Sequence, residues 1–342
     1  MVAIGGGTGL STLLRGLKHY AALPGESVSS ASAAPEIAEL CAVVTVSDDG
    51  GSSGRLRKEF NMLPPGDIRN CIVALSEDEA LLSRLFQHRF AKGEGLEGHN
   101  FGNLFLAALT SITKDFGEAV RLSSEILLTR GHIYPATTAN VELVAIMEDG
   151  SRVRGETKIT ASKGRIKELL LDPPDVDPIP QTLEAIARAD LITIGPGSLF
   201  TSLIPNLLVH GISQAIVNSP AIKVYVCNLM TQANESLGLS AADHIRALNR
   251  HAQNERLFDY ALINRMPVSA EMKARYELEG AAQIVADLDE VERLGVRALV
   301  GDYLEEAAVA RHATDRVAQD LLKLVSQPSA KATWGQPPRL HG

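Results

Sequence analysis

Short, nearly continuous apolar runs recur along the 342-residue chain, and amphipathic stretches separate them. Val2–Ile4, Ala42–Val46, Leu191–Ile194, Val224–Cys227, Tyr260–Ile263, Ile284–Val285 and Ala298–Val300 carry no polar alternation. That is how strands look when a parallel sheet is covered on both faces. Helical periodicity follows many of them. It is clearest near the end, where Val317, Leu321, Leu324 and Val325 fall at i, i+4, i+7 and i+8. Strands alternating with helices predict an α/β fold with a doubly wound, mostly parallel sheet. One region breaks the rhythm: Val141–Ile146, an acidic Glu148-Asp149-Gly150 turn, Arg152–Ile159 and Arg165–Leu171 read as a β-rich insertion over about 133–172. The stripe Leu104, Ala107, Ala108, Ile112 reads as core packing. The expected organisation is one domain over 1–325. A Ser/Ala-rich surface insertion lies at 23–36 and a loose Pro-containing tail at 326–342.

The polar residues between these runs carry the chemistry. Open α/β sheets bind ligands beyond the carboxyl ends of their strands, where strand order reverses. After the first run stand Gly5-Gly6-Gly7-Thr8-Gly9, and after the second Ser47-Asp48-Asp49-Gly50-Gly51-Ser52. Later strand ends carry Gly195-Pro196-Gly197-Ser198, then Asn228 with Thr231 and Gln232, then Asn264. Two glycine-rich strand-to-helix turns suit a diphosphate, because backbone amides at a helix start approach an anion closely. The first is not a dinucleotide fingerprint, since Leu10 stands where the third glycine belongs, and no GK[ST] makes it a P-loop. Adjacent Asp48 and Asp49 fit a ribose contact, a Mg²⁺ ligand, a general base or a plain Asx turn. Arg55 and Arg57 fit either a phosphate or a solvated helix face. His99 and Asn100 fit either a ligand contact or a helix cap.

Composition narrows the partners. The balance of 33 Lys+Arg against 41 Asp+Glu gives a net charge of −8, and aromatics make up 4%. Bulk nucleic acid is therefore not an expected partner. No apolar run is long enough to span a membrane, and no leader pattern is visible. Three scattered cysteines without a CxxC fit a reduced, cytoplasmic protein without a zinc site. HExxH is absent as well. A homodimer is the ordinary expectation for a chain of this size and class.

Six segments taken together resemble a known family. They are residues 2–11 (VAIGGGTGLS), 46–57 (VSDDGGSSGRLR), 63–71 (LPPGDIRNC), 98–104 (GHNFGNL), 195–202 (GPGSLFTS) and 226–232 (VCNLMTQ). Their order resembles the gluconeogenesis factor (YvcK) branch of the CofD-like family, 2-phospho-L-lactate transferases and their kin, to about residue 325. The resemblance implies a Rossmann-like sheet. It also implies a cytoplasmic nucleotide-sugar (UDP-sugar) binding protein needed for cell shape and wall synthesis during gluconeogenic growth. The founding activity implies the alternative of a Mg²⁺-assisted transfer from a nucleotide diphosphate to a hydroxyl, with Asp48 and Asp49 as its catalytic carboxylates. The segments at 46–57 and 63–71 depart from the transferases' deazaflavin side. No cofactor is otherwise required, with Mg²⁺ implied only through that alternative. Carried over by motif, Gly6, Gly7, Thr8, Gly9, Gly195, Pro196, Gly197 and Ser198 would meet phosphates. Gly50, Gly51, Ser52 and Thr231 would flank the ligand. Asp48, Asp49 and Asn228 would meet sugar or metal, Asn70 and Asn103 would line the cleft, and Tyr276 and Arg311 would close over it.

Overall fold

The computed structural model describes residues 1–23, 36–77 and 81–326. The sequence expectations for the Ser/Ala-rich insertion and the tail lie almost wholly outside these residues. Seven parallel strands form the central sheet: β1 (Val2–Gly5), β2 (Cys41–Val44), β3 (His132–Pro135), β7 (Leu191–Ile194), β8 (Ile222–Val226), β9 (Tyr260–Asn264) and β10 (Arg297–Gly301). Their spatial order is β10-β9-β8-β7-β1-β2-β3. Every neighbouring pair is parallel. The four inner strands β1, β2, β7 and β8 are buried at nearly every position, as their unbroken apolar character requires. Strand order reverses between β1 and β7, so their carboxyl ends form the switch-point crevice of a Rossmann-like doubly wound fold.

Two small antiparallel sheets complete the chain. In one, β4 (Glu142–Met147) lies between β5 (Arg152–Arg154) and β6 (Ile166–Asp172). In the other, β11 (Leu304–Glu306) pairs with β12 (Ala310–His312). The last helix, Thr314–Ser326, buries Val317, Leu321 and Leu324 as its period predicts. Among the described residues no single helix is long and apolar enough to cross a membrane.

Four expectations need correction. The β-rich region does not begin at 133, because His132–Pro135 pairs in register with β2 at the edge of the main sheet. Its alternating burial, with His132 and Tyr134 partly exposed, disguised a strand of the parallel sheet. The run Arg152–Ile159 is strand only to Arg154; Gly155, at φ 94°, turns the chain into a helix over Glu156–Ala161. Ile284–Val285 joins no sheet, and Val285 is exposed. The stripe Leu104, Ala107, Ala108, Ile112 packs only in part: Leu104 and Ala107 meet the core, whereas Ala108 and Ile112 are exposed. Helix Phe101–Thr113 buries Gly102, Asn103, Leu106 and Ala107, and leaves Ile112 76% exposed.

Candidate functional site

At the switch point the two glycine-rich turns touch. Gly6 caps the helix Gly7–Leu17 with extended backbone, and Gly7 adopts a left-handed conformation at φ 62°. A Cβ on Gly9 would collide with the Pro196 carbonyl of the second turn, so only glycine permits this approach. The first intrahelical bond runs from the Leu10 amide to the Gly6 carbonyl, which leaves the Thr8 and Gly9 amides without an intrahelical partner. The second turn runs Gly195–Ser198 into a π-helical turn over Leu199–Leu203, where the amides of Ser202 and Leu203 both bond the Ser198 carbonyl.

A cavity of about 680 Å³ opens over both turns. Gly6, Gly7, Thr8, Gly9, Asn70, Pro196, Gly197, Ser198, Asn228, Tyr276 and Arg311 all line it, drawn together from six parts of the chain. Asn228 faces it with a side chain already engaged: Oδ1 accepts from the Gly197 amide at 3.0 Å and Nδ2 donates to the Gly197 carbonyl at 2.7 Å. Gln232 donates from Nε2 to Ser198 Oγ at 2.7 Å. Tyr276 stands on helix Ala270–Leu278, and its hydroxyl accepts from the Ala310 amide at 3.2 Å. That bond ties this helix to the β11–β12 hairpin, which carries Arg311.

Charge in the cavity opposes that of the chain. Among the described residues its lining holds four arginines, Arg15, Arg69, Arg89 and Arg311, and not one carboxylate. Arg15 follows Ser11 and Thr12 on the cavity face of the first helix. Arg69 donates to Asn103 Oδ1 and Asn70 Oδ1, at 3.2 and 2.6 Å, and its Nε is buried without a partner. Burial and then Arg89 loosen its proton, while Asp67 and Asp48 oppose them; a guanidinium stays charged throughout. Arg69 sits in the segment 63–71 and Arg15 on a plain helix face. Neither stood out in the sequence, where an isolated arginine is most often solvated.

The remaining sequence candidates, Asn100 excepted, stand away from the cavity lining. Asp48 Oδ1 accepts from the Gly50 amide at 2.8 Å, the Asx-turn reading. Asp49 Oδ1 accepts from the Thr157 amide at 2.8 Å and from Thr157 Oγ1 at 2.5 Å, so it fastens the Glu156–Ala161 helix. Ser52 Oγ bonds His99 Nδ1 and the Asn100 amide, and Asn103 donates to Ser53 Oγ. Asn100 caps helix Phe101–Thr113 through the Asn103 amide and also lines the cavity. Thr231 makes two bonds with the Ala282 backbone. Gly195, at φ 88°, turns the chain at the end of β7, while Gly50 and Gly51 open helix Gly51–Phe60. Arg55 and Arg57 bind backbone carbonyls of Glu97 and Val141 rather than the cavity.

Two acids that sequence reading passed over lie behind the first turn. Asp67, in the first turn of helix Gly66–Leu75, accepts from the Gly7 amide; burial and the neighbouring Asp48 push its pKa up to about 6. Glu156 is pushed up to about 9 by burial and then by Asp48, Asp67, Asp49 and Glu235. Among the described residues no three His, Cys, Asp or Glu side chains form a group that could hold a metal ion alone. Magnesium is commonly held by one or two carboxylates together with substrate phosphates, and the Asp48–Asp67 pair beside the first turn fits that part.

Comparison with known proteins follows this geometry. The family model for 2-phospho-L-lactate transferase CofD matches residues 1–304. The chain belongs to the CofD family, in its gluconeogenesis factor branch. It is 47% identical over 326 residues to the gluconeogenesis factor of Bacillus subtilis, covering 94% of this chain and 97% of that protein. The gluconeogenesis factor of Halalkalibacterium halodurans is 46% identical, over 94% of this chain and 95% of that protein. A crystal structure of a Bacillus halodurans protein superposes with a TM-score of 0.87 at 46% identity, over 94% and 98% of the two chains. The family match spans both glycine-rich turns, the cavity's Asn70 and Asn228, and Tyr276.

Proposed function

We propose that this member of the CofD family is a cytoplasmic nucleotide-sugar receptor, with a UDP-sugar as ligand. In this reading it serves cell shape and wall synthesis during growth on gluconeogenic carbon. The observation that carries the reading is the carboxylate-free, arginine-lined cavity over two touching glycine-rich turns, in a chain of net charge −8. Its volume, about 680 Å³, lies in the range that buries a ligand of nucleotide size. The turns grip a diphosphate through amides at a helix start, and Arg69 and Arg311, both in the lining, add charge. The sugar lies towards Tyr276 and the β11–β12 hairpin in this pose. Three buried, free cysteines accord with the compartment. Exposed Ile112, Ile126 and Leu128 give the chain apolar surface for a homodimer.

Isothermal titration with UDP-N-acetylglucosamine tests the reading. One site per chain is expected, with Arg311→Ala weakening it about tenfold or more. Absence of binding at millimolar ligand would overturn it. A second reading, transfer from a nucleotide diphosphate to a hydroxyl, is favoured by the Asp48–Asp67 pair. Those carboxylates would hold Mg²⁺, which when bound neutralises phosphate charge, while the turns fix the diphosphate. Its mark is Mg²⁺-dependent release of a nucleoside monophosphate, lost in Asp67→Asn.

A further inference from the structure

A second cavity, of about 530 Å³, lies on the other side of the second glycine-rich turn, between β6 and helix Ala241–His251. Leu169 of β6 donates its amide to His251 Nε2 at 3.0 Å, which fixes the strand edge to the helix end. Arg165 and Lys167, two residues apart at the start of β6, face the cavity from one side. Arg246 and Arg250, one helical turn apart, face it from the other.

The cations are not equally committed. Arg246 is held by Asp243 and Glu290. Asp243 is taken up by that bond and by the Ser240 amide. Among the described residues, no ion pair or side-chain hydrogen bond engages Arg165, Lys167 or Arg250. Glu148 is the one lining acid on the exposed rim that opposes them. Deeper in, Glu235 is 6% exposed. Its Oε1 accepts from Thr201 Oγ1 at 3.0 Å, and its Oε2 is buried with no partner. Burial raises its pKa, against hydrogen bonds from Thr201, the Phe200 backbone and Thr160 that lower it. The unpartnered Oε2 is a buried acceptor whose cost a ligand hydroxyl removes, and the uncommitted cations lining the same cavity attract an anion.

We propose that this cavity is a second, effector-type anion site, taking a small molecule that bears a phosphate-type dianion. Arg165, Lys167 and Arg250 meet the charge, and Glu235 Oε2 accepts from a hydroxyl on the ligand's carbon skeleton. Phe200, Leu237 and Leu239 line the site with apolar surface for its carbon skeleton. The site communicates with the first cavity through shared backbone. Ser198 and Gln232 line the first cavity, while Phe200 and Glu235 line the second. An ion that draws Glu235 also draws Thr201, and with it the turn that carries Gly197 and Ser198.

The probe is inorganic pyrophosphate, titrated calorimetrically into the full chain at 0.15 M NaCl. Two pyrophosphates per chain are expected, because the first cavity also accepts the ion. Arg165→Gln with Arg250→Gln reduces the count to one and leaves the Tm of the unliganded chain unchanged, since both side chains are exposed. UDP-N-acetylglucosamine in excess displaces the ion from the remaining site. A single pyrophosphate in the parent chain that the double variant retains, or two in the double variant, overturns the proposal. Pyrophosphate bound with a count of one that the double variant abolishes leaves the second site standing and the nucleotide reading of the first overturned, so the two failures are distinct.

Discussion

Asn228 spends both ends of its amide on Gly197, so its part in the cavity is to hold the second turn in shape. Glu156 is the opposite case, a carboxyl with three aspartates and Glu235 for neighbours. The folded protein keeps its proton up to about 9, whereas an ordinary glutamate releases it near 4.5. The unfolded chain therefore binds fewer protons across that interval, and stability falls as pH rises through it. Glu156→Gln removes the penalty. Relative to the parent it is expected to gain on the order of 2–4 kcal/mol at pH 8 and nothing at pH 4.5. Calorimetric melts of both chains at several pH values check this, and parallel curves would refute it. At this scale the sequence was legible where backbone chemistry dominates, in Gly6–Gly9 and Gly197–Ser198. It left the part of Asp49 open, because a carboxylate used as a helix fastener looks no different from a catalytic one. It was silent on Arg15 and Arg69, whose meaning lies only in what they face.

The elements show why some of them were legible and others not. Parallel strands announce themselves by continuous apolar runs, and β1, β2, β7, β8 and β9 were all read that way, as was the edge strand β10, which has no fully buried position. The edge strand β3 alternates instead, so it read as part of the neighbouring insertion. Helix Glu156–Ala161 has six residues, too few for an apolar period to show. Asp49, from the loop after β2, satisfies the amide of Thr157 and anchors this helix. Asp49→Ala is expected to cost about 1–2 kcal/mol in urea unfolding, the size of a lost helix cap. Affinity for UDP-N-acetylglucosamine should stay within about twofold. A loss of affinity with unchanged stability would give Asp49 the ligand role instead.

At the scale of the molecule, the acidic net charge and the basic cavity act at different ranges. Around the chain the mean field repels an anion, and near the cavity four arginines attract one. Arg15, Arg89 and Arg311 are exposed, so salt screens them, while Arg69 is more enclosed. Raising NaCl from about 0.05 to 0.5 M is expected to weaken nucleotide-sugar binding about three- to tenfold without abolishing it. An affinity independent of salt would mean that the backbone amides alone hold the diphosphate.

The walls of the first cavity are also far apart along the chain, for Gly6 opens it and Arg311 and His312 close it. A ribosome adding about 5–20 residues per second finishes the far wall roughly 15–60 s after the near one. The first turn therefore emerges with its amides facing solvent. It gains its arginine lid only when the β11–β12 hairpin docks on helix Ala270–Leu278. Ligand added during synthesis should rescue completed chains from proteolysis and leave chains stopped before residue 300 unprotected.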